Sequence, residues 1–318
     1  MTLEYEIIII GGGPAGLSAA SSIVRQGHKT ILFDSGVYRN SPSKHLHAVP
    51  GWDYRDPEDF RGAARKDLAR YGTVEVENLE IQRLRQRDDG LFEATSSDGE
   101  RTWVGQKVIL ATGVEDVLLD IPGYAECWVS GIFHCLYCHG WEEKGVASAG
   151  ILAEGDIGRT VPALHFARQA LRMSAHVTLY TNGNETLTKN LTDALAIAPA
   201  PMKVDSRKII GFTKAPERSR VIVRFEDGTS TTEGFLAHKP RTRLRGTLAQ
   251  QLGLEMTVMK TIKVSQPFNQ TSLAGVFAAG DCAAPMQTIT AALHSGTCTG
   301  GGAPLQIQAE TFKQRAIF

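Results

Sequence analysis

A glycine-rich turn near the start of the chain constrains the fold more than any other feature of the sequence. It follows Ile7 to Ile10, a continuous β-branched run typical of a parallel strand buried on both faces. Gly11, Gly13 and Gly16 then fit the pattern G-x-G-x-x-G, and the small residues after them have helical spacing. Asp34 ends the next apolar run. The order strand, glycine turn, helix, strand and acid predicts a mononucleotide-binding βαβ unit.

Each position of this turn has a physical role in binding a dinucleotide. Gly11 permits the tight bend, Gly13 lets a diphosphate approach the backbone, and Gly16 lets helix and strand pack closely. The predicted helix, Leu17 to Val24, follows the turn directly, and its N-terminus attracts phosphate. A carboxylate at Asp34 accepts hydrogen bonds from ribose hydroxyls. The fingerprint alone does not choose between NAD and FAD, and a glycine-rich turn of no functional consequence is the alternative.

Further strands are predicted along the chain. A buried strand from Lys107 ends at Ala111-Thr112-Gly113, and another from Ala274 ends at Gly280-Asp281. Thr288 opens a last helix. Two β-meanders are predicted, the first from segments 74–84, 91–95 and 101–104, and the second from 203–213 with 219–225.

The middle of the chain repeats the order of the first unit in weaker form. Gly150 to Ala153 predicts a strand, Val161 to Met173 an amphipathic helix, and His176 to Tyr180 the next strand. The predicted fold is therefore α/β with two Rossmann-like dinucleotide-binding domains. The first domain is discontinuous, covering 1–117 and 243–318, and the second covers 118–242.

Composition excludes several classes of function. The chain has 318 residues, enough for two ordinary domains, and its 34 basic and 34 acidic side chains balance. That balance gives no reason to expect nucleic acid or an anionic membrane as partner. The apolar run before Gly11 is too short to span a bilayer, and Glu4 and Glu6 do not fit a signal peptide. We expect a cytoplasmic protein.

Only one pair among the five cysteines is closely spaced in sequence. Cys135 and Cys138 are spaced to lie on one side of a helical turn, within disulfide reach, and a helix N-terminus favours a nucleophilic thiolate. A zinc site would need further ligands, which the flanking His134 and His139 cannot easily supply, so we expect no metal. Inert structural cysteines are the other alternative. The remaining cysteines, Cys127, Cys282 and Cys298, are interpreted as buried small hydrophobes.

Taken together, the glycine turn, Ala111-Thr112-Gly113 and the late Gly280-Asp281 resemble the flavoproteins with two dinucleotide-binding domains. That resemblance implies FAD as cofactor, with Asp281 at its ribityl–diphosphate region and Gln287 to Ile289 near the isoalloxazine ring. The FAD-binding residues implied are Gly11, Gly13, Pro14, Ala15, Gly16, Asp34, Ser35, Asn40, His45, Ala111, Thr112, Gly113, Gly280, Asp281, Gln287, Thr288 and Ile289.

A C-x-x-C after the first nucleotide-binding region resembles the low-molecular-weight thioredoxin reductases. The resemblance implies a homodimer in which Cys138 is the sulfur next to the flavin and Cys135 exchanges with the external thiol or disulfide. Those reductases carry an acid after the second cysteine, whereas this chain has His139, which is suited to moving protons near neutral pH. His134 is the second candidate acid–base residue.

The second nucleotide site departs from the reductase pattern. Ala153 stands where the first glycine belongs, and Glu154 and Asp156 bring carboxylates to the place of a diphosphate. Like charges a few ångströms apart cost about 4 kcal/mol at an effective dielectric near 20. Tyr180 to Glu185 offers neither the arginines for NADP nor the strand-end acid for NAD. The sequence therefore predicts that this site binds no nicotinamide cofactor.

A flavin–dithiol enzyme without a hydride donor is expected to take electrons from a substrate dithiol and pass them to O2. Phe33 to Asn40, Gly131 to Glu143 and Tyr180 to Glu185 resemble the dithiol oxidases of gliotoxin and holomycin biosynthesis. The resemblance implies a small-molecule dithiol as substrate, of the epidithiodiketopiperazine class, with a disulfide and H2O2 as products. An NADPH-dependent thioredoxin reductase is the alternative activity, and a flavin-binding redox sensor or scaffold is the alternative class.

Overall fold

A computed structural model describes residues 4–318 and divides them into two compact units, residues 4–115 with 243–318 and residues 116–242. The strands are β1 (Tyr5–Ile10), β2 (Thr30–Phe33), β3 (Val74–Glu77), β4 (Ile81–Gln86), β5 (Phe92–Ser96), β6 (Thr102–Leu110), β7 (Val114–Asp116), β8 (Ile132–Phe133), β9 (Val146–Leu152), β10 (Ser174–Tyr180), β11 (Met202–Asp205), β12 (Ile209–Lys214), β13 (Val221–Phe225), β14 (Ser230–Glu233), β15 (Leu236–Ala237), β16 (Thr242–Leu244) and β17 (Val276–Ala278). The helices are α1 (Pro14–Ile23), α2 (Pro57–Ala69), α3 (Tyr124–Cys127), α4 (Leu136–His139), α5 (Thr160–Ala170), α6 (Glu185–Ile197), α7 (Leu248–Gln251) and α8 (Ile289–Thr311).

The first unit is built on a sheet of order β3-β2-β1-β6-β5-β4, in which β17 also pairs with β6. Five strands of this sheet run parallel, namely β3, β2, β1, β6 and β17. The other two, β5 and β4, are antiparallel additions. Because β1 is central and covered on both faces, Ile7, Ile8 and Ile9 are fully buried. The predicted βαβ unit thus forms the middle of this sheet.

Two details of the first predicted β-meander are wrong. Residues 74–77 form a parallel edge strand beside β2 and take no part in a meander. The segments 101–104 and 107–110 are one continuous strand, β6, whose first half pairs with β5 and whose second half pairs with β17. One strand therefore serves both the antiparallel and the parallel parts of the sheet.

Glycines set the distance between α1 and α8 in the first unit. A Cβ at Gly296 would stand 2.2 Å from the carbonyl oxygen of Ala15, and one at Gly300 would stand 2.5 Å from that of Ala19. Only glycine permits such a close approach of two backbones. This packing holds the N-terminal half of α8 against α1, the helix that follows the glycine turn.

The second unit contains a parallel sheet of order β11-β10-β9-β15-β8 and a separate antiparallel sheet, β12-β13-β14. The second predicted meander is therefore wrong at its start, because residues 202–205 pair in parallel with β10. Leu179 on β10 and Leu191 on α6 are fully buried in the core between sheet and helices.

The Cys135–Cys138 segment differs from the predicted helix. The structure gives only the four-residue α4, and Cys135 is its N-cap. A single turn has few aligned peptide dipoles, so the expected effect of a helix dipole on these thiols loses its basis. Across residues 4–318, no helix is long and apolar enough to cross a membrane.

Candidate active site

Four sequence motifs converge in the first unit. Ala15 of the glycine turn, Ala111 after β6, Ala279 after β17 and Ala292 near the start of α8 pack together as one buried cluster. Each alanine lies in a different predicted FAD-binding segment or within three residues of one, although the segments are far apart in sequence. The parallel order of β1, β6 and β17 places their carboxyl ends at one edge of the sheet, where ligands of such folds bind.

The glycine turn has a shape that only glycine can fill. A Cβ at Gly11 would lie 2.2 Å from the carbonyl oxygen of Ala111, and one at Gly16 would lie 1.9 Å from that of Gly11. A Cβ at Gly13, in contrast, would meet no atom within 4 Å. Gly13 is also the N-cap of α1 and offers no side chain to bond the first-turn N–H groups. An open glycine beside an uncapped helix N-terminus fits a dinucleotide diphosphate.

Asp34 lies at the end of β2, 2% exposed, beside the glycine turn. Its carboxylate accepts a hydrogen bond from the Gly36 backbone N–H at 2.9 Å and one from the Tyr38 hydroxyl at 2.6 Å, and it is paired with Arg65 of α2. Burial and the bond to Asp34 raise the pKa of Tyr38 to about 12. Ser35, also predicted to bind FAD, adjoins this carboxylate in sequence.

Asp281 follows β17, and its side chain and that of Gln287 accept hydrogen bonds from the same arginine. Arg39 Nη1 donates to the Asp281 carboxylate at 3.0 Å and to the Gln287 amide oxygen at 2.6 Å. Thr288 is the N-cap of α8, with its side chain accepting from the Ala291 N–H, and Ile289 is the first residue of that helix. The structure therefore brings the late acid and the start of the last helix together.

The loop after β2 carries the remaining predicted FAD contacts. Asn40 accepts a hydrogen bond from Arg61 at 3.5 Å, and His45 is exposed, with its ring 5.9 Å from that of Tyr54. No observation joins His45 to the glycine turn, so its place at the flavin remains a prediction.

Sequence reasoning missed the arginines around the two acids. Arg39 lies in the segment Phe33 to Asn40, whose sequence pattern gives it no separate role. Arg61 and Arg65 lie one turn apart on α2, and the Arg61 guanidinium stacks on the Tyr38 ring at 3.8 Å. Arginines at i, i+4 on the helix that follows the Asp34 loop are the one sequence signal that could have suggested them.

In the second unit, Cys135 and Cys138 are joined in a disulfide, with Cα atoms 5.3 Å apart. The pair follows β8, whose two residues pair with β15 in the parallel sheet. Both cysteines are partly exposed. The sheet thus presents a dithiol–disulfide pair that a small thiol can reach.

Aromatic contacts position the two histidines that flank the disulfide. The His139 ring stacks on Phe133, with centroids 5.1 Å apart, and the His134 ring stacks on Trp128 at 5.6 Å. The two imidazoles are 6.5 Å apart. Tyr137, 78% exposed, lies between the cysteines in sequence. The histidines that flank the cysteine pair in sequence are therefore held by stacking, and imidazoles are side chains that can accept and return protons.

The loop at the second nucleotide-type site is closed on itself. The N–H groups of Glu154, Asp156, Ile157 and Gly158 all donate to carbonyl oxygens of this unit, at 2.9 to 3.3 Å. The Glu154 carboxylate accepts from the side chain of Asn182, whose own oxygen accepts from the Ile209 N–H at 2.8 Å. A diphosphate needs free N–H groups at this place. The loop has none of these four to offer without rearranging.

His238, which follows β15, is fully buried beside this loop. Its Nδ1 lies 2.5 Å from the Tyr124 hydroxyl, and burial lowers its pKa to about 4. A hydrogen bond to the backbone of Glu154 and the charge of Asp116 oppose this shift.

We expect His238 to make the protein sensitive to acid. The folded state keeps the imidazole neutral, so between pH 6.5 and about 4 the unfolded state binds the extra proton. Stability is full above pH 6.5, falls as the pH drops through this window and loses about 3 kcal/mol in total. In urea unfolding at pH 7 and pH 5, His238→Asn should lose less stability than the wild type. The assignment is contradicted if His238→Asn loses as much stability between pH 7 and pH 5 as the wild type does. It is also contradicted if the exposed control His176→Asn shows the same reduced loss as His238→Asn.

The other cysteines differ in burial. Cys127 and Cys282 are fully buried as expected, and burial raises the pKa of the Cys282 thiol to about 11. Cys298 is only half-buried on α8, so its interpretation as a buried residue is wrong. Within residues 4–318, no group of three or more His, Cys, Asp or Glu side chains is placed to hold a metal ion.

Comparison with known proteins gives a consistent result. Residues 5–296 match the family described as pyridine nucleotide-disulphide oxidoreductase. The protein named thioredoxin reductase tcpT of Claviceps purpurea is 46% identical over 98% of this chain and 97% of its own length. Thioredoxin reductase aclD of Aspergillus oryzae is 40% identical over 95% of this chain and 96% of its own. The crystal structure of a putative thioredoxin reductase TrxB from Bacillus anthracis superposes with a TM-score of 0.87 at 25% identity, covering 97% of this chain and all of that one.

These matches confirm the predicted α/β fold with two Rossmann-like domains and the prediction of FAD as cofactor. The glycine turn fits that cofactor, since an open position beside an uncapped helix end is the arrangement that a diphosphate requires. The chain belongs to the pyridine nucleotide-disulphide oxidoreductase family and is a thioredoxin-reductase-like flavoprotein.

Proposed function

We propose that this protein is an FAD-dependent dithiol oxidase that closes an intramolecular disulfide in a small molecule and passes the electrons to O2. The observation that carries this proposal is the loop at Glu154 to Gly158, in which four of the five backbone N–H groups already donate to carbonyl oxygens of the same unit and the Glu154 carboxylate is bonded to Asn182. The redox pair remains intact in the same unit. A flavin and a disulfide without a hydride donor are suited to oxidising thiols.

The overall reaction balances with O2 as the only co-reactant. A substrate dithiol, R(SH)2, and O2 give the cyclic disulfide, RS2, and H2O2. Two S–H bonds break, one S–S bond forms, and two electrons with two protons reach oxygen. Bound FAD supplies the chemistry that accepts an electron pair from a dithiol and gives it to O2.

The cysteines divide the thiol exchange between them. A substrate thiolate attacks Cys135 Sγ, which breaks the Cys135–Cys138 bond and forms a mixed disulfide. The second substrate thiol then attacks the substrate sulfur of that bond, releasing the cyclic product and leaving the pair as two thiols. Cys138 is the thiol from which electrons leave toward the cofactor. His139, with His134 as the second candidate, takes up the thiol protons, since an imidazole titrates near neutral pH.

A small substrate of the epidithiodiketopiperazine class, from secondary-metabolite biosynthesis, is the most specific form of this proposal. It is supported by the resemblance to gliotoxin-type oxidases and by the high identity to the fungal proteins compared above. The resemblance to the thioredoxin reductases supports the further proposal that the protein acts as a homodimer, and we also propose that it acts in the cytoplasm. Light scattering on the purified protein tests the first.

Oxygen uptake tests the activity. With dithiothreitol, which closes a six-membered cyclic disulfide, we expect one O2 consumed and one H2O2 formed for each dithiol oxidised. With 2-mercaptoethanol, which cannot form a ring, turnover should be slow at equal thiol concentration. A thiol-oxidation rate that is independent of the protein, or of O2, contradicts the proposal.

A second candidate is an NADPH-dependent disulfide reductase, because the relatives carry the name thioredoxin reductase. That activity requires the loop at Glu154 to open and release its N–H groups. Consumption of NADPH in the presence of a disulfide such as 5,5′-dithiobis(2-nitrobenzoate), at a rate comparable to that of dithiol oxidation, would favour it.

A further inference from the structure

We propose that Arg39 is a positioning residue that orients Asp281 and Gln287 for the flavin and sets the reduction potential of the flavin. The proposal rests on FAD binding and on the assignment of these two residues to the flavin site, but not on O2 as acceptor. Arg39 lies outside the glycine fingerprint and the Gly280-Asp281 motif, and the sequence patterns give it no role.

The geometry of Arg39 connects three segments of the first unit. Its Nη1 atom donates to Asp281, 242 residues away in sequence, and to Gln287, 248 residues away. The Arg39 and Asp281 side chains are 16% and 21% exposed, so the ion pair is largely shielded from water. A charged hydrogen bond in such a place is stronger and more directional than one at the surface.

The bond to Gln287 fixes which way its amide faces. Because a guanidinium can only donate, it binds the amide oxygen of Gln287 and leaves the amide NH2 directed elsewhere. An NH2 group is a donor, which is what a ring system that gains negative charge on reduction requires from its neighbours. Without Arg39 the amide of Gln287 can flip.

The ion pair with Asp281 changes the charge that the cofactor meets. An isolated carboxylate beside a flavin opposes the addition of electrons, and it repels the diphosphate. Arg39 neutralises Asp281 while leaving oxygen lone pairs on that carboxylate for hydroxyl groups. We therefore expect Arg39 to tighten FAD binding and to raise the reduction potential of the flavin.

The Arg65–Asp34 pair provides a matched comparison within the same unit. It is also an arginine–aspartate pair with a nearly buried carboxylate, but Asp34 stands at the end of β2, the position of the adenosine ribose. Loss of Arg65 should therefore weaken FAD binding without changing the reduction potential, because the isoalloxazine ring is at the other end of the cofactor.

The test uses apoprotein reconstituted with FAD and, for the potential, a Cys135→Ser/Cys138→Ser background in which only the flavin titrates. We expect Arg39→Gln to raise the dissociation constant of FAD about ten- to a hundredfold and to make the flavin potential more negative. Arg39→Lys keeps the charge and should restore the potential more fully than the affinity. Arg65→Gln should move the affinity alone, and Arg85→Gln, which removes an exposed pair with Glu93, should move neither.

Three results overturn the proposal. The first is an Arg39→Gln protein with the affinity and potential of the wild type. The second is a potential shift of the same size in Arg65→Gln, which would indicate a general disturbance. The third is an Arg39→Lys protein whose potential matches that of Arg39→Gln. None of these readouts requires turnover with dithiol or O2, so failure of the proposed oxidase activity leaves the test valid.

Discussion

Replacing either Cys135 or Cys138 with serine is expected to lower dithiol-dependent turnover about a thousandfold or more, while the protein keeps its flavin. Serine cannot form the mixed disulfide, and no other cysteine in residues 4–318 is disulfide-bonded or adjacent in sequence to take over. The glycine turn and Asp281 belong to the other compact unit, so flavin content should stay near that of the wild type. Oxygen uptake with dithiothreitol and the absorbance of bound flavin give the two readouts.

Cys298→Ser is the matched control for this prediction, because Cys298 is a partly exposed free thiol in the first unit. Its turnover should equal that of the wild type. The two single variants also separate the roles of the pair. Cys138→Ser, which keeps Cys135, should react with 5,5′-dithiobis(2-nitrobenzoate) faster than Cys135→Ser does. The opposite order of rates contradicts the assigned direction of exchange.

Gly16→Ala is expected to abolish stable FAD binding and to destabilise the first unit by about 3 kcal/mol or more. The added Cβ would meet the carbonyl oxygen of Gly11 at 1.9 Å, and that oxygen belongs to the backbone of the turn itself. Neither α1 nor the turn can move away without opening the diphosphate site. Flavin content after purification and thermal unfolding of the apoprotein measure the two effects.

The same substitution at Gly62 is the control. Gly62 lies inside α2, where a Cβ would find nothing within 4 Å, so alanine should be neutral or should stabilise by about 0.5 to 1 kcal/mol. If Gly16→Ala retains FAD as firmly as Gly62→Ala does, the close-packed turn is not what shapes the flavin site.

Local patterns in the sequence predict much of the fold. The strand, glycine turn and helix from Tyr5 to Ile23 follow one another along the chain, so their periodicity and glycine spacing are enough to place them. The failures concern pairing between distant segments. Residues 74–77 look like the start of a meander because they precede other strands, but their hydrogen-bond partners are on β2. Strand partners at long sequence separation leave no local signal.

The candidate site shows the same division. The spacing of Cys135 and Cys138 is enough to predict a disulfide-forming pair, since the two residues are close in sequence and bond to each other. The spacing does not predict that the helix after them is a single turn. The pairing of Arg39 with Asp281 and of Arg65 with Asp34 cannot be predicted from the sequence, because the fold brings these distant residues together. At the second nucleotide-type site, the missing glycine and the added carboxylates predict that no nicotinamide cofactor binds. The hydrogen bond from Asn182 to the Glu154 carboxylate, in contrast, is seen only in the structure.

Anaerobic rapid mixing of the oxidised protein with either dithiothreitol or NADPH tests the central claim most directly. The absorbance of the flavin near 450 nm reports its reduction, and admitting O2 afterwards reports its reoxidation. We predict that dithiothreitol bleaches the flavin rapidly, that equal NADPH leaves it oxidised on the same time scale, and that O2 restores it with release of H2O2. Rapid bleaching by NADPH, with none by the dithiol, would contradict this account and identify the protein as a reductase.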